Sequence, residues 1–151
     1  MPQSISKIWT HLIFSTKNRF PFRTDKAIRA DMNAYLATVL RSHDCKTIIV
    51  GGIDDHVHAL VALSKTLSIS EVVKEVKRTS SGWIKEISPS HKQFFWQNGY
   101  GAFSVGHTQL DDVRSYIENQ EEHHRHKTFQ EEYRAFLDKY GIDYDERYVW
   151  D

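Results

Sequence analysis

Two runs rich in β-branched and aromatic residues, separated by one long helical stripe, constrain this chain more than any other feature. The first run, Ile8-Trp9-Thr10-His11-Leu12-Ile13-Phe14, reads as a strand. It leads into a polar, basic loop at Lys17-Asn18-Arg19. Ile28, Met32, Tyr35, Leu36, Val39 and Leu40 then fall at i, i+4, i+7, i+8, i+11 and i+12, one face of a helix from Asp25 to about Ser42. Thr24 stands where an N-cap is expected. Lys46-Thr47-Ile48-Ile49-Val50 is the second run.

The rest of the chain repeats the alternation. Gly51-Gly52-Ile53-Asp54-Asp55 supplies turn residues, and His56 to Leu63 reads as a third strand, so a hairpin with a five-residue loop is expected. Ser68-Ile69-Ser70-Glu71 is a capping box that starts a second helix, with Ile69, Val72, Val73, Val76, Trp83, Ile84 and Ile87 as its buried stripe and Pro89 after its end. Phe94-Phe95-Trp96 and Ala102-Phe103-Ser104-Val105 read as short strands. A helix starting near Thr108 or Asp111 should break around His123 to Thr128. A further stretch carries Phe129, Tyr133, Phe136, Leu137 and Tyr140, and stops at Gly141. This order predicts an α+β fold: a ferredoxin-like or RRM-like antiparallel sheet with helices on one face and an added C-terminal helix.

Composition bounds the function. The chain has 151 residues, 40% of them hydrophobic and 26% charged, which suits one globular domain over residues 1–151 and excludes a disordered or collagen-like chain. It has no apolar run of the ~20 residues that a membrane span needs. Met1-Pro2-Gln3-Ser4 has no leader-like pattern, and Cys45 stands alone, so a reducing cytoplasm is expected. The net charge is zero, but unevenly built. Met1 to Tyr100 carries 14 Lys+Arg against 8 Asp+Glu, and Gly101 to Asp151 carries 6 against 12. A basic body with an acidic C-terminal part leaves room for a phosphate-binding surface.

The polar residues suggest a site. In His56-Val57-His58, side chains two apart on a strand share a face, so both imidazoles can converge on one ion. They share that face with Leu60 and Ala62; the plainer interpretation is a hydrogen-bonded structural pair. Tyr116 and Gln120 stand at i and i+4, one helical turn apart, where a partly exposed tyrosine covering the sheet edge is again the plainer alternative. His123, His124 and His126 could with Gln120 make a rival, helix-borne metal site. Lys74, Lys77, Arg78 and Lys85 lie along one side of the second helix and, with Lys17, Arg19 and Arg23, could meet phosphates. Trp9, Tyr100 and Phe103 could stack on unpaired bases.

Asp55-His56-Val57-His58-Ala59-Leu60 and Tyr116-Ile117-x-x-Gln120 together resemble the single-tyrosine HUH transposases of the insertion-sequence 200/605 group. The likeness extends to His11-Leu12-Ile13-Phe14-Ser15-Thr16-Lys17, to Trp96-Gln97-Asn98-Gly99-Tyr100-Gly101-Ala102-Phe103, and to Tyr144-Asp145-Glu146-Arg147-Tyr148-Val149-Trp150-Asp151. The resemblance implies that His56, His58 and Gln120 are metal ligands and that Tyr116 is the nucleophile, carried on the added C-terminal helix. It implies single-stranded DNA with hairpins as substrate, a 5′-phosphotyrosine intermediate, and a homodimer in which the tyrosine acts in its own or its partner's site. It places the protein in a prokaryotic cytoplasm, at the nucleoid when acting. Neutral imidazole and amide ligands with open positions lead us to expect Mg²⁺ or Mn²⁺ in preference to Zn²⁺. A metal-dependent nuclease that uses water, and a non-catalytic RRM-like nucleic-acid-binding module, are the alternatives.

Overall fold

The strands align in the order Lys46–Ile53, His56–Ala62, Trp9–Ser15, Gly101–Ser104, every neighbour antiparallel, in a computed structural model that describes residues 2–151. Met1, the first residue of the expected domain and of the leader reading, lies outside the described residues. The strands are β1 (Trp9–Ser15), β2 (Lys46–Ile53), β3 (His56–Ala62) and β4 (Gly101–Ser104). The helices are α1 (Lys26–Ser42), α2 (Ile69–Ile87), α3 (Leu110–Glu118), α4 (Gln120–His123) and α5 (Phe129–Lys139). The expected α+β fold holds. No helix among the described residues is long and apolar enough to cross a membrane.

Both faces of the sheet are covered, which is why β1 and β3 are buried along their whole length. Leu12 and Phe14 of β1 share one face with Val57, Ala59 and Val61 of β3 and pack under the stripes of α1 and α2, forming the larger core. The other face presents Trp9, His11 and Ile13 with His56, His58, Leu60 and Ala62. There Ile117 of α3 packs on Trp9 and Leu60, while Phe129, Tyr133 and Leu137 of α5 pack on Ile13 and Phe103. The C-terminal helices are thus the lid on the histidine-bearing face.

Several local expectations change. The cap of α1 is Asp25, whose side chain accepts from the Ala27 and Ile28 amides, and not Thr24. Ser68 caps α2 as expected, accepting from the Glu71 amide. The hairpin loop is shorter than five residues, because β2 runs on to Ile53 and leaves only Asp54 and Asp55 between the strands. Phe94-Phe95-Trp96 forms no strand; only an isolated bridge joins Trp96 to Thr16, and Phe94 is buried against Trp96 and Phe22. Aromatic content there reflects core filling, not strand pairing. The helix carrying Tyr116 breaks earlier than expected, at Asn119, and again after His123.

Gly51 has a packing reason: a Cβ there would stand 2.8 Å from Ile117 Cγ2, so its absence lets α3 lie close against β2.

Candidate active site

Strand β3 sets the geometry. His56 and His58 are fully buried, two positions apart on the face covered by α3 to α5, and their rings stand 5.0 Å apart between centroids. Gln120 opens α4 directly above them, its Oε1 lying 3.0 Å from His56 Nε2. Tyr116 sits one turn earlier on α3, with its ring edge-on to His58 at 5.9 Å. The four residues singled out in the sequence therefore meet, and they do so within one chain.

The structure adds residues that the sequence did not single out for this place. Glu132 of α5 is buried at the centre of the cluster. Its Oε1 is 2.9 Å from His58 Nε2 and 3.2 Å from His124 Nε2. Its Oε2 accepts from the Tyr116 hydroxyl and from Gln120 Nε2, the latter at 3.1 Å. His124 also approaches Gln120 Oε1 at 3.1 Å, so the rival helix-borne set and the His56–His58 pair are one cluster; only His126 stays outside, exposed. His123 Nε2 is 3.1 Å from the Tyr116 hydroxyl, and His11 Nε2 is 2.7 Å from His58 Nδ1. A readable signal existed for Glu132. It stands three residues after Phe129 and four before Phe136, a carboxylate in line with a buried stripe.

The environment sets the charges. Burial alone would raise the Glu132 carboxyl, but hydrogen bonds from His124 and His58 outweigh it and hold the group well below the usual carboxylate range. Burial pushes His58 down to about 4 despite its bond to Glu132, and lowers His11 as well. Burial, then the neighbouring Glu132 charge and hydrogen bond, push the Tyr116 phenol far above its ordinary value. At neutral pH the site therefore holds one carboxylate, neutral His58 and His11, and a neutral phenol bonded to the carboxylate. His56, His58, His124 and Glu132 offer ligand atoms that lie within 4.8 Å of one another and could hold a metal ion.

The basic residues divide. Lys77 Nζ donates to the carbonyls of Gln97 at 2.8 Å and Gly99 at 2.5 Å, so it clamps the loop before β4. Arg78 is paired with Glu75 at 2.7 Å, and Lys85 and Lys17 both lie over the Phe95 ring. Lys74, Lys77, Arg78 and Tyr100 line a groove of about 400 Å³ beside α2. Arg19 lies over the Trp150 ring, and Arg23 is buried, donating to the His56 carbonyl at 2.9 Å, so it supports the site from within. Trp9 and Phe103 are buried core and offer no stacking surface; Tyr100 is partly exposed. Arg29 joins the two charge halves, bonding Asp54 at 2.9 Å and Glu121 of α4 at 2.6 Å.

Comparison with known proteins gives a consistent picture. The family described as Transposase IS200 like matches residues 4–120. A crystal structure of a candidate transposase from Deinococcus radiodurans superposes with a TM-score of 0.64 at 22% identity, covering 80% of this chain and 95% of that one. A REP-associated tyrosine transposase bound to a REP hairpin superposes with a TM-score of 0.52 at 15% identity, covering 78% of this chain and 66% of that one. At such identities the two structures show a shared fold. No curated protein matches the chain.

Proposed function

Because the chain belongs to the IS200-like transposase family, we propose that it cuts and rejoins single-stranded DNA through a covalent bond to Tyr116. The observation that carries this reading is the position of the Tyr116 hydroxyl: it donates to Glu132, whose other oxygen touches His58.

The donor set fits a divalent ion. The Nε2 atoms of His56 and His58 point at Gln120 Oε1 and Glu132 Oε1, and their Nδ1 atoms are held from behind by Asp55 and His11 at 2.7 Å. His56, His58 and Gln120 would hold Mg²⁺ or Mn²⁺, which when bound withdraws charge from a scissile phosphate. Tyr116 and Glu132 supply the rest. The phenol oxygen bonds to phosphorus, and the bond from phosphorus to the 3′-oxygen breaks. The phenol proton is handed through its hydrogen bond to Glu132 and on to water, and the departing 3′-oxygen takes a proton from water and leaves as a free hydroxyl. The 5′-phosphotyrosine keeps the bond energy, so another 3′-hydroxyl can reseal the strand by the reverse steps. The basic groove beside α2, with Lys74, Arg78 and Tyr100, suits the phosphates of a DNA hairpin.

Labelled single-stranded hairpin DNA incubated with the protein and Mn²⁺ should give an adduct that survives a denaturing gel. His56→Ala is expected to lower its rate at least about a hundredfold, since such an ion contributes several kcal/mol at ~1.4 kcal/mol per tenfold. An adduct indifferent to His56→Ala and to chelation contradicts the reading. We further propose a homodimer, as a chain this small has little surface on which to hold two DNA ends. Size-exclusion chromatography with light scattering should show twice the chain mass; a monomer both with and without DNA rules the dimer out.

A further inference from the structure

Three imidazole nitrogens and a carboxylate oxygen converge beneath α4 and α5, all within 4.8 Å of one another. Glu132 Oε1 stands 2.9 Å from His58 Nε2, 3.2 Å from His124 Nε2 and 3.5 Å from His56 Nε2. Donors bonded at ~2.0–2.1 Å to a tetrahedral ion stand about 3.3 Å apart, and the three separations bracket that edge. The far side of each ring is anchored too. Asp55 Oδ1, His11 Nε2 and the Lys127 carbonyl each lie 2.7 Å from the Nδ1 of His56, His58 and His124 in turn. Metal-bound histidines are held in this way, with the second ring nitrogen engaged so that the first points at the ion.

The chemistry of the set selects the ion. Three imidazoles and one carboxylate suit Zn²⁺, whereas Mg²⁺ prefers an octahedral shell of oxygens and water. The number of ligands matters as well. Sites with four protein ligands are closed and structural, while catalytic sites keep a position open. His56, His58 and Gln120 alone leave positions for phosphate oxygens; with His124 and Glu132 as ligands in place of Gln120, a tetrahedral shell leaves none.

We infer that His56, His58, His124 and Glu132 form a closed tetrahedral site for an ion of the Zn²⁺ class, a resting state that staples α4 and α5 over β3 and keeps phosphate out. The inference rests on the proposed role of His56 and His58 as ligands. It adds His124 and Glu132 to them and makes entry of DNA dependent on releasing both. Zn²⁺ then stabilises the chain while competing with the open, oxygen-accepting arrangement.

The test is a Co²⁺ titration of the metal-free full chain. One ion per chain, with the intense visible absorption of four-coordinate Co²⁺, is expected, and Zn²⁺ should bleach it and raise the thermal unfolding temperature. His124→Ala and Glu132→Gln should each abolish the four-coordinate band. Each should also weaken Zn²⁺ by more than about a hundredfold, beyond the ~10–100-fold that loss of an outer-shell partner costs. His126→Ala, at an exposed position, should leave the band unchanged. The weak absorption of six-coordinate Co²⁺, no binding at all, or a band that persists in both variants would overturn the site and leave a hydrogen-bonded polar cluster. The wild-type spectrum decides this even if a variant does not fold. A Mn²⁺-dependent adduct without the four-coordinate signal overturns this inference alone. The signal without any adduct overturns the strand-transfer reading alone.

Discussion

Tyr116→Phe is expected to remove the covalent protein–DNA adduct altogether, a fall of at least about 10⁴-fold, as for loss of a nucleophile from a residue set that acts as a unit. The substitution is conservative for packing. The ring keeps its edge-on contacts with His58 and Phe136, and Glu132 keeps His58, His124 and Gln120 as donors. Only the hydroxyl and its bonds to Glu132 and His123 are lost, so the fold should survive with a change of about 1–3 kcal/mol or less. The denaturing-gel assay, with thermal unfolding as a control, reads both quantities. Strand cleavage that persists in Tyr116→Phe would transfer the nucleophile to water, and DNA binding without cleavage by the wild type would leave a binding module. The raised phenol value makes the assay sharper. A tyrosine pushed far above its ordinary value by burial and by Glu132 does not ionise freely, so the proposed attack requires the proton to leave as the bond to phosphorus forms.

Gly52→Ala is expected to destabilise the fold strongly. Gly52 adopts φ of 129°, a region that L side chains rarely enter, and an added Cβ would overlap the carbonyl oxygen of His56. Backbone strain of this kind costs about 1–3 kcal/mol before any steric term, and the obstruction here is backbone that cannot swing aside. A loss of about 3 kcal/mol or more is expected, a large fraction of the ~5–15 kcal/mol that stabilises a domain. Urea unfolding monitored by tryptophan fluorescence measures it. An unchanged midpoint would mean that the turn at Asp54 and Asp55 can be rebuilt without the glycine. Because Gly52 pairs with Val57, between His56 and His58, any rebuilding must also move the histidine pair.

The lines of sequence reading that held were those governed by local periodicity. The α1 stripe, the cap at Ser68 and the shared face of His56 and His58 all follow from spacings of 3.6 or 2, which a short segment enforces by itself. Tyr116 and Gln120 keep their i, i+4 proximity although the helix breaks between them, because Asn119 interrupts the hydrogen bonding without changing the chain direction enough to part them. Readings that depended on what lies across the fold did less well. Phe94 to Trp96 has strand composition, yet Phe94 fills the core from a loop. Lys77, which the sequence offers to phosphates, also donates to two backbone carbonyls of a loop about twenty residues away, a contact with no local signal. The uneven charge has a structural counterpart in Arg29, which binds Asp54 of the basic portion and Glu121 of the acidic one.

The sequence by itself determined the elements, the order in which they alternate, and the two motifs that mark the family, since these rest on residues close in the chain. Only the tertiary structure decided that Glu132 and His124 stand beside His56, His58, Tyr116 and Gln120. Glu132 and His58 are separated by 74 positions, and no local rule relates an acid on one helix to an imidazole on a strand. The relation arises when Phe129, Tyr133 and Leu137 bury the apolar face of α5 on Ile13 and Phe103 and carry the intervening carboxylate into a space that only hydrogen-bond donors can fill at low cost.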